Sequence, residues 1–164
     1  MNNYVRSAAI ALSLLMAMWT FPAYAASTIF IVRHAEKVDE SRDPLLSERG
    51  MQRAQRLAQH LRDAQIRKIL VTEFQRTRLT ATPLAELTQV GLSSYVAKES
   101  AKLPELLQNE TGNVLVVGHS NTLATIATAL GVLDVKAVAD DEYDRLIVIH
   151  RQEGQAPVMT VLRY

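Results

Sequence analysis

Three short runs constrain the fold more than any other feature: TIFIV at 28–32, IRKILV at 66–71 and VLVV at 114–117. They are rich in β-branched residues, and their apolar positions are continuous rather than alternating. That is the pattern of strands buried on both faces, as in a parallel sheet covered by helices. The stretches between them have helical character. Ser47 is a good N-cap for L-S-E-R-G, and Ala54, Leu57, Ala58 and Leu61 recur at helical spacing. Arg53, Arg56, Gln59 and Arg62 occupy the other face of that helix, which reads as solvated. A second helix is expected over 76–88, with Pro83 inside it and Gly91 beyond its end. A weak strand at 93–97, a short helix at 102–109, a helix at 123–130 ending at Gly131, and two closing strands at 146–149 and 158–162 complete the pattern. The expected fold class is α/β: a three-layer sandwich with a mostly parallel central sheet, helices on both faces and an antiparallel edge.

The amino terminus is set apart from this pattern. Arg6 is the sole charged side chain of residues 1–25, the apolar stretch AAIALSLLMAMWTF follows at 8–21, and Ala23 and Ala25 stand as the small residues of an A-x-A cleavage site. This is the layout of a secretory signal peptide. As a helix the apolar stretch spans about 21 Å, short of a hydrocarbon core of roughly 30 Å. The expected organisation is a signal peptide at 1–25, cleaved after Ala25, and one domain at 26–164. The expected location is the periplasm, with no stable membrane anchor after cleavage. The chain has no cysteine, which excludes disulfides, thiolate metal ligands and a cysteine nucleophile. Its net charge of +1 gives no bulk electrostatic case for nucleic acid.

Ligands of open parallel sheets bind beyond the carboxyl ends of the strands. The first strand ends in Arg33-His34, the second runs into Arg76, and the third ends in Gly118-His119. Neighbouring strands would bring two arginines and two histidines into one pocket, with helix N-termini beside them. Guanidinium forks match phosphoryl oxygens, and an imidazole among them can attack phosphorus. His34, Glu36 and His119 are of metal-ligating types, but two arginines in the same pocket would repel a cation. G-H-S-N-T at 118–122 lacks the last glycine of a nucleophile elbow. His60 and His150 read as structural, and Ser120 and Asn121 as helix caps.

R-H-A-E-K at 33–37 resembles the R-H-G signature of the histidine phosphatase (phosphoglycerate mutase-like) superfamily. T-E-F-Q-R-T-R-L-T-A at 72–81 is similar to its second arginine motif, and V-V-G-H-S at 116–120 to its second histidine motif. The three occur in family order. The resemblance implies a metal-independent phosphoric monoester hydrolase, with no cofactor and a small phosphorylated substrate. It implies that His34 is the nucleophile that becomes phosphohistidine. Arg33 and Arg76 would clamp the phosphate, and His119 would be the second pocket histidine. Ala35 stands where the family usually has glycine. No residue matches the family's general acid; the candidates are Glu73, then Glu36, with Glu99 a third. The expected substrates are phosphomonoesters, with envelope glycan or lipopolysaccharide sugar phosphates suggested by the compartment. The alternatives are a phosphohistidine or phosphoramidate phosphatase, and a secreted binding module for phosphorylated ligands that retains the fold without catalysis.

Overall fold

A computed structural model describes residues 27–164, and the expected signal peptide lies outside the described residues. Strand β1 (Ser27–Arg33) leads through a loop to helix α1 (Glu48–Leu61), β2 (Ile66–Thr72) and α2 (Gln75–Thr88). After these come β3 (Leu92–Tyr95), a 3₁₀ segment (Ala97–Lys102), α3 (Leu103–Leu107), β4 (Asn113–Gly118), α4 (Ser120–Ala129), β5 (Arg145–Arg151) and β6 (Val158–Arg163). The strands form one sheet in the order β3-β2-β4-β1-β5-β6. The first four of these pair in parallel, whereas β5 pairs antiparallel to β1, and β6 antiparallel to β5. The expected α/β sandwich is therefore the one observed.

The continuous apolar runs serve both faces, because successive strand side chains point to opposite sides. Ile29 and Ile31 of β1, Val114 and Val116 of β4, and Ile147 and Ile149 of β5 pack with Leu103 and Leu107 of α3 and Leu123 and Ile126 of α4. Val32, Leu115, Val117, Leu146 and Val148 face the other way, onto Leu57 and Leu61 of α1 and Leu84 of α2.

The start of α1 and the end of α2 fall where expected, and the start of α4 moves for a visible reason. Helix α1 is capped by Ser47 as expected, its hydroxyl accepting the Gly50 amide at 3.1 Å. Helix α2 ends one turn of chain before Gly91, with Gln89 itself in the left-handed conformation at φ 58°. Helix α4 begins at Ser120 rather than 123, directly on the end of β4, with His119 at the N-cap position. The Thr122 hydroxyl accepts the His119 amide at 2.9 Å and fixes this start. Gly118 makes that sharp entry possible: a Cβ there would meet the Thr122 hydroxyl oxygen at 2.8 Å.

Candidate active site

The parallel register fixes the site. Arg33 pairs with Gly118 at the carboxyl ends of β1 and β4, and the His34 amide donates to the Gly118 carbonyl at 2.9 Å. His34 and His119 thus leave adjacent strand ends side by side, with ring centroids 5.3 Å apart. Arg76, in the first turn of α2 beyond the neighbouring β2, completes the group. Arg33, His34, Arg76 and His119 line one cavity of about 800 Å³.

His34 is buried, and its Nδ1–H donates to the Ala35 carbonyl at 2.8 Å. That bond sets the tautomer and leaves the lone pair on Nε2. Burial lowers the His34 pKa to about 3, and the neighbouring His119, Arg33 and Arg76 push in the same direction. His119 is lowered to about 4, first by burial and then by Arg76. Both rings are neutral at physiological pH. The Arg76 guanidinium, which can only donate, contacts His119 Nδ1 at 3.4 Å. The proton of His119 therefore lies on Nε2, facing the Thr72 hydroxyl at 3.1 Å. Thr72 in turn meets the Thr77 hydroxyl at 3.0 Å. The second histidine is held by a buried threonine pair that joins the end of β2 to the start of α2.

The two arginines are only partly satisfied by protein. Arg33 Nη1 donates to the carbonyls of Asp140 at 2.7 Å and Ala139 at 3.1 Å, and the guanidinium lies over the Tyr143 ring, 4.0 Å from its centroid. Arg76 stacks on Phe74 at 4.2 Å and lies 3.8 Å from the Asp43 carboxylate, which also accepts the Gln75 amide at the start of α2. Each guanidinium keeps a buried Nε–H with no partner. Among the described residues only three buried side-chain polar atoms are in that condition; the third is the Tyr164 hydroxyl. Orphaned buried donors are rare in folded proteins. Two of the three belong to the arginines that line the cavity.

The expected acids are placed differently. Glu36 follows the nucleophile in sequence, but Arg53 takes its carboxylate in a fork, Nε at 3.0 Å and Nη2 at 2.8 Å. Although partial burial alone would raise its pKa, the hydrogen bonds and charge of Arg53, with Arg49 adding, hold it below the ordinary carboxylate value. It does not line the cavity. This corrects two readings at once: Glu36 is a structural anchor rather than an acid, and Arg53 is buried rather than solvated. Glu73 is exposed and accepts the Ala97 amide at 2.9 Å, holding the chain after β3; it too does not line the cavity. Glu99 pairs with Lys102 on the surface.

His60 bonds its own helix through the Arg56 carbonyl, and His150 meets the Thr28 hydroxyl at the opposite end of β1 from His34. Both are remote from the cavity. Ser120 and Asn121 line it from the first turn of α4, where the helix dipole favours an anion.

Sequence reasoning missed the segment before β5. Asp140 and Tyr143 line the cavity, as does Lys98 of the 3₁₀ segment. The signal available was the polar run D-D-E-Y-D at 140–144, lying immediately before a buried strand in the same way that R-H-A-E-K lies immediately after one.

Comparison with known proteins agrees with this arrangement. The family model of the histidine phosphatase superfamily (branch 1) matches residues 29–99, which span β1, His34 and the Arg76 motif. No curated protein matches the chain. The protein histidine phosphatase SixA complexed with tungstate has a similar fold, with a TM-score of 0.65 and 18% identity, covering 83% of this chain and 96% of that one. A mycobacterial glucosyl-3-phosphoglycerate phosphatase gives a TM-score of 0.67 at 15% identity, covering 85% and 98%. Phosphoserine phosphatase from Entamoeba histolytica, in complex with 3-phosphoglyceric acid, gives 0.59 at 14% identity, covering 84% and 97%. At such identities the likeness is one of fold; the family match adds the first two motifs, on the same strand ends where the cavity lies. Over residues 29–99 the chain carries a match to the histidine phosphatase superfamily (branch 1), on the fold that the solved phosphatases share.

Proposed function

We propose that the protein is a metal-independent phosphatase that hydrolyses phosphomonoesters through a phosphohistidine on His34. The observation that carries this reading is the convergence on one cavity of two guanidinium groups and a neutral imidazole whose Nε2 lone pair is free. The donors suit the non-bridging oxygens of a phosphoryl group, and the lone pair suits attack on phosphorus.

In the first step His34 Nε2 bonds to phosphorus as the bond to the leaving oxygen breaks. Arg33 and Arg76 hold the oxygens on which charge accumulates. His119 contributes from the other side. A bound phosphoryl dianion favours a second proton on its ring, at Nδ1, which then donates to an oxygen while Nε2–H keeps its bond to Thr72. In the second step water attacks phosphorus and His34 is released.

The cavity is about 800 Å³ and lies at the surface, which suits a small phosphorylated molecule. The signal-peptide pattern of residues 1–25 supports a site of action in the periplasm, where phosphorylated envelope glycans or lipopolysaccharide sugars would be the substrates. Fractionation of the source cells, with sequencing of the mature amino terminus, tests the location; a start at Ala26 is expected.

The activity is tested with a panel of phosphomonoesters and a phosphoramidate in the presence of EDTA, with His34→Ala as the control. Turnover of esters that the substitution abolishes supports the reading. Turnover of the phosphoramidate alone indicates a phosphohistidine phosphatase. Inorganic phosphate binding without any turnover indicates a binding module.

A further inference from the structure

Two carboxylates reach the cavity, Glu40 and Asp140. Glu40 stands on the loop after β1 with its side chain 89% exposed, paired with Lys37. Asp140 is exposed as well, but it is held from two directions. Its main-chain carbonyl accepts Arg33 Nη1 at 2.7 Å. Its carboxylate Oδ1 accepts the Ser120 hydroxyl at 3.0 Å. Arg33 precedes the proposed nucleophile in sequence and Ser120 follows His119, so the first bond ties the Asp140 main chain, and the second its carboxyl, to the two halves of the phosphoryl site. Oδ2 has no hydrogen-bond partner among the described residues. Tyr143, three residues on, stacks over Arg33 and lies 6.3 Å from the His34 ring, which fixes the rest of the segment against the same wall.

We propose that Asp140 is the general acid of the reaction, protonating the leaving oxygen of a phosphomonoester from Oδ2. The inference rests on the reading of His34 as nucleophile. In the first step the His34 Nε2–phosphorus bond forms and the phosphorus–oxygen ester bond breaks. The electron pair of that bond stays on the leaving oxygen, which takes the Asp140 proton and departs as an alcohol. In the second step the Asp140 carboxylate takes a proton from water as the water oxygen attacks phosphorus. The nitrogen–phosphorus bond breaks, and inorganic phosphate and protonated Asp140 result. Ser120 is compatible with both states: its hydroxyl donates to Oδ1, leaving Oδ2 to carry the proton.

The test is Asp140→Asn, which keeps the shape of the side chain and the main-chain carbonyl that Arg33 holds. Its turnover is compared with that of the unaltered protein on an alkyl phosphate and on 4-nitrophenyl phosphate, whose leaving group needs no proton. General acid assistance contributes about 10²- to 10⁴-fold. The expected result is a fall of about 10²-fold or more in kcat on the alkyl ester, with a change several-fold at most on the aryl ester. The retained aryl activity also reports an assembled site. Ser120→Ala, which loosens the carboxyl without removing it, is expected to lower the alkyl-to-aryl ratio by a smaller factor. Equal loss on both esters, or no loss on the alkyl ester, overturns the role of Asp140 while leaving the His34 reading intact. Absence of ester turnover in the unaltered protein overturns both.

Discussion

The Thr80 hydroxyl accepts the Ala35 amide at 2.9 Å and donates to the Arg76 carbonyl at 2.7 Å. Ala35 is the residue whose carbonyl orients the His34 ring. One buried threonine on α2 therefore ties the loop of the nucleophile to the helix turn that carries the second arginine. Thr80→Val keeps the volume but removes both bonds and leaves the Ala35 amide buried without an acceptor. The expected cost is about 1–3 kcal/mol of stability, with a fall in kcat larger than any rise in KM. Urea unfolding and steady-state kinetics on an aryl phosphate measure the two effects; unchanged kcat would mean that Thr80 is packing alone.

The acid side of the pH profile follows from the two histidines. His34 and His119 are depressed to about 3 and about 4 in the folded protein, and the unfolded chain titrates near the ordinary value of roughly 6.5. Between those limits the unfolded chain binds more protons, so stability is full above pH of about 6.5 and declines as the pH falls toward 4. Replacing His34 with Asn removes one of the two groups. The difference in denaturation midpoint between pH 7 and pH 5 is therefore expected to be smaller in His34→Asn than in the unaltered protein. An equal difference in the two would count against the buried neutral imidazole.

Phosphate binding is expected to take up a proton. The free site holds His119 neutral, with Arg76 at Nδ1 and Thr72 at Nε2, and a bound anion raises the affinity of that ring for a second proton. Calorimetry of inorganic phosphate binding in buffers of different ionisation enthalpy measures the uptake. It is expected to be reduced in His119→Gln, and a buffer-independent heat in the unaltered protein would contradict the assignment.

The turn of α1 against the loop after His34 leaves no room for a methyl group. A Cβ at Gly50 would meet the Glu36 carbonyl oxygen at 2.2 Å, and that carbonyl also accepts the Ser47 amide at 2.9 Å. Gly50→Ala is expected to destabilise the protein by about 1–3 kcal/mol despite alanine's higher helix propensity. A gain in thermal stability would show that the loop yields freely.

The strands and the three motif ends were legible in the sequence because burial on both faces writes itself as an uninterrupted apolar run, and because each run stops at a charged or glycine-histidine segment. The same local reading placed Ser47 as a cap. What it could not supply was partnership at long range. Arg53 sits at a helical position that alternates with core residues and reads as polar surface; only the fold shows Glu36 facing it, 17 positions earlier. Glu36 and Glu73 were attractive as acids by their nearness in sequence to His34 and Arg76. Nearness in sequence says nothing about which way a carboxylate turns, and each turns to a different donor. Asp140 comes to the site through bonds to Arg33 and Ser120, 107 and 20 positions away, and no periodicity in a single chain encodes such a meeting.

The proposed mechanism depends most directly on a covalent bond between His34 and phosphorus. Rapid quenching of the protein with 4-nitrophenyl phosphate, followed by alkaline work-up and peptide mass analysis, detects it, since phosphohistidine survives base. A peptide containing residues 33–36 that gains the mass of one phosphoryl group on His34 is the expected result, with no such gain in His34→Ala. Turnover of the ester with the phosphoryl group on no residue, or on another histidine, would contradict it.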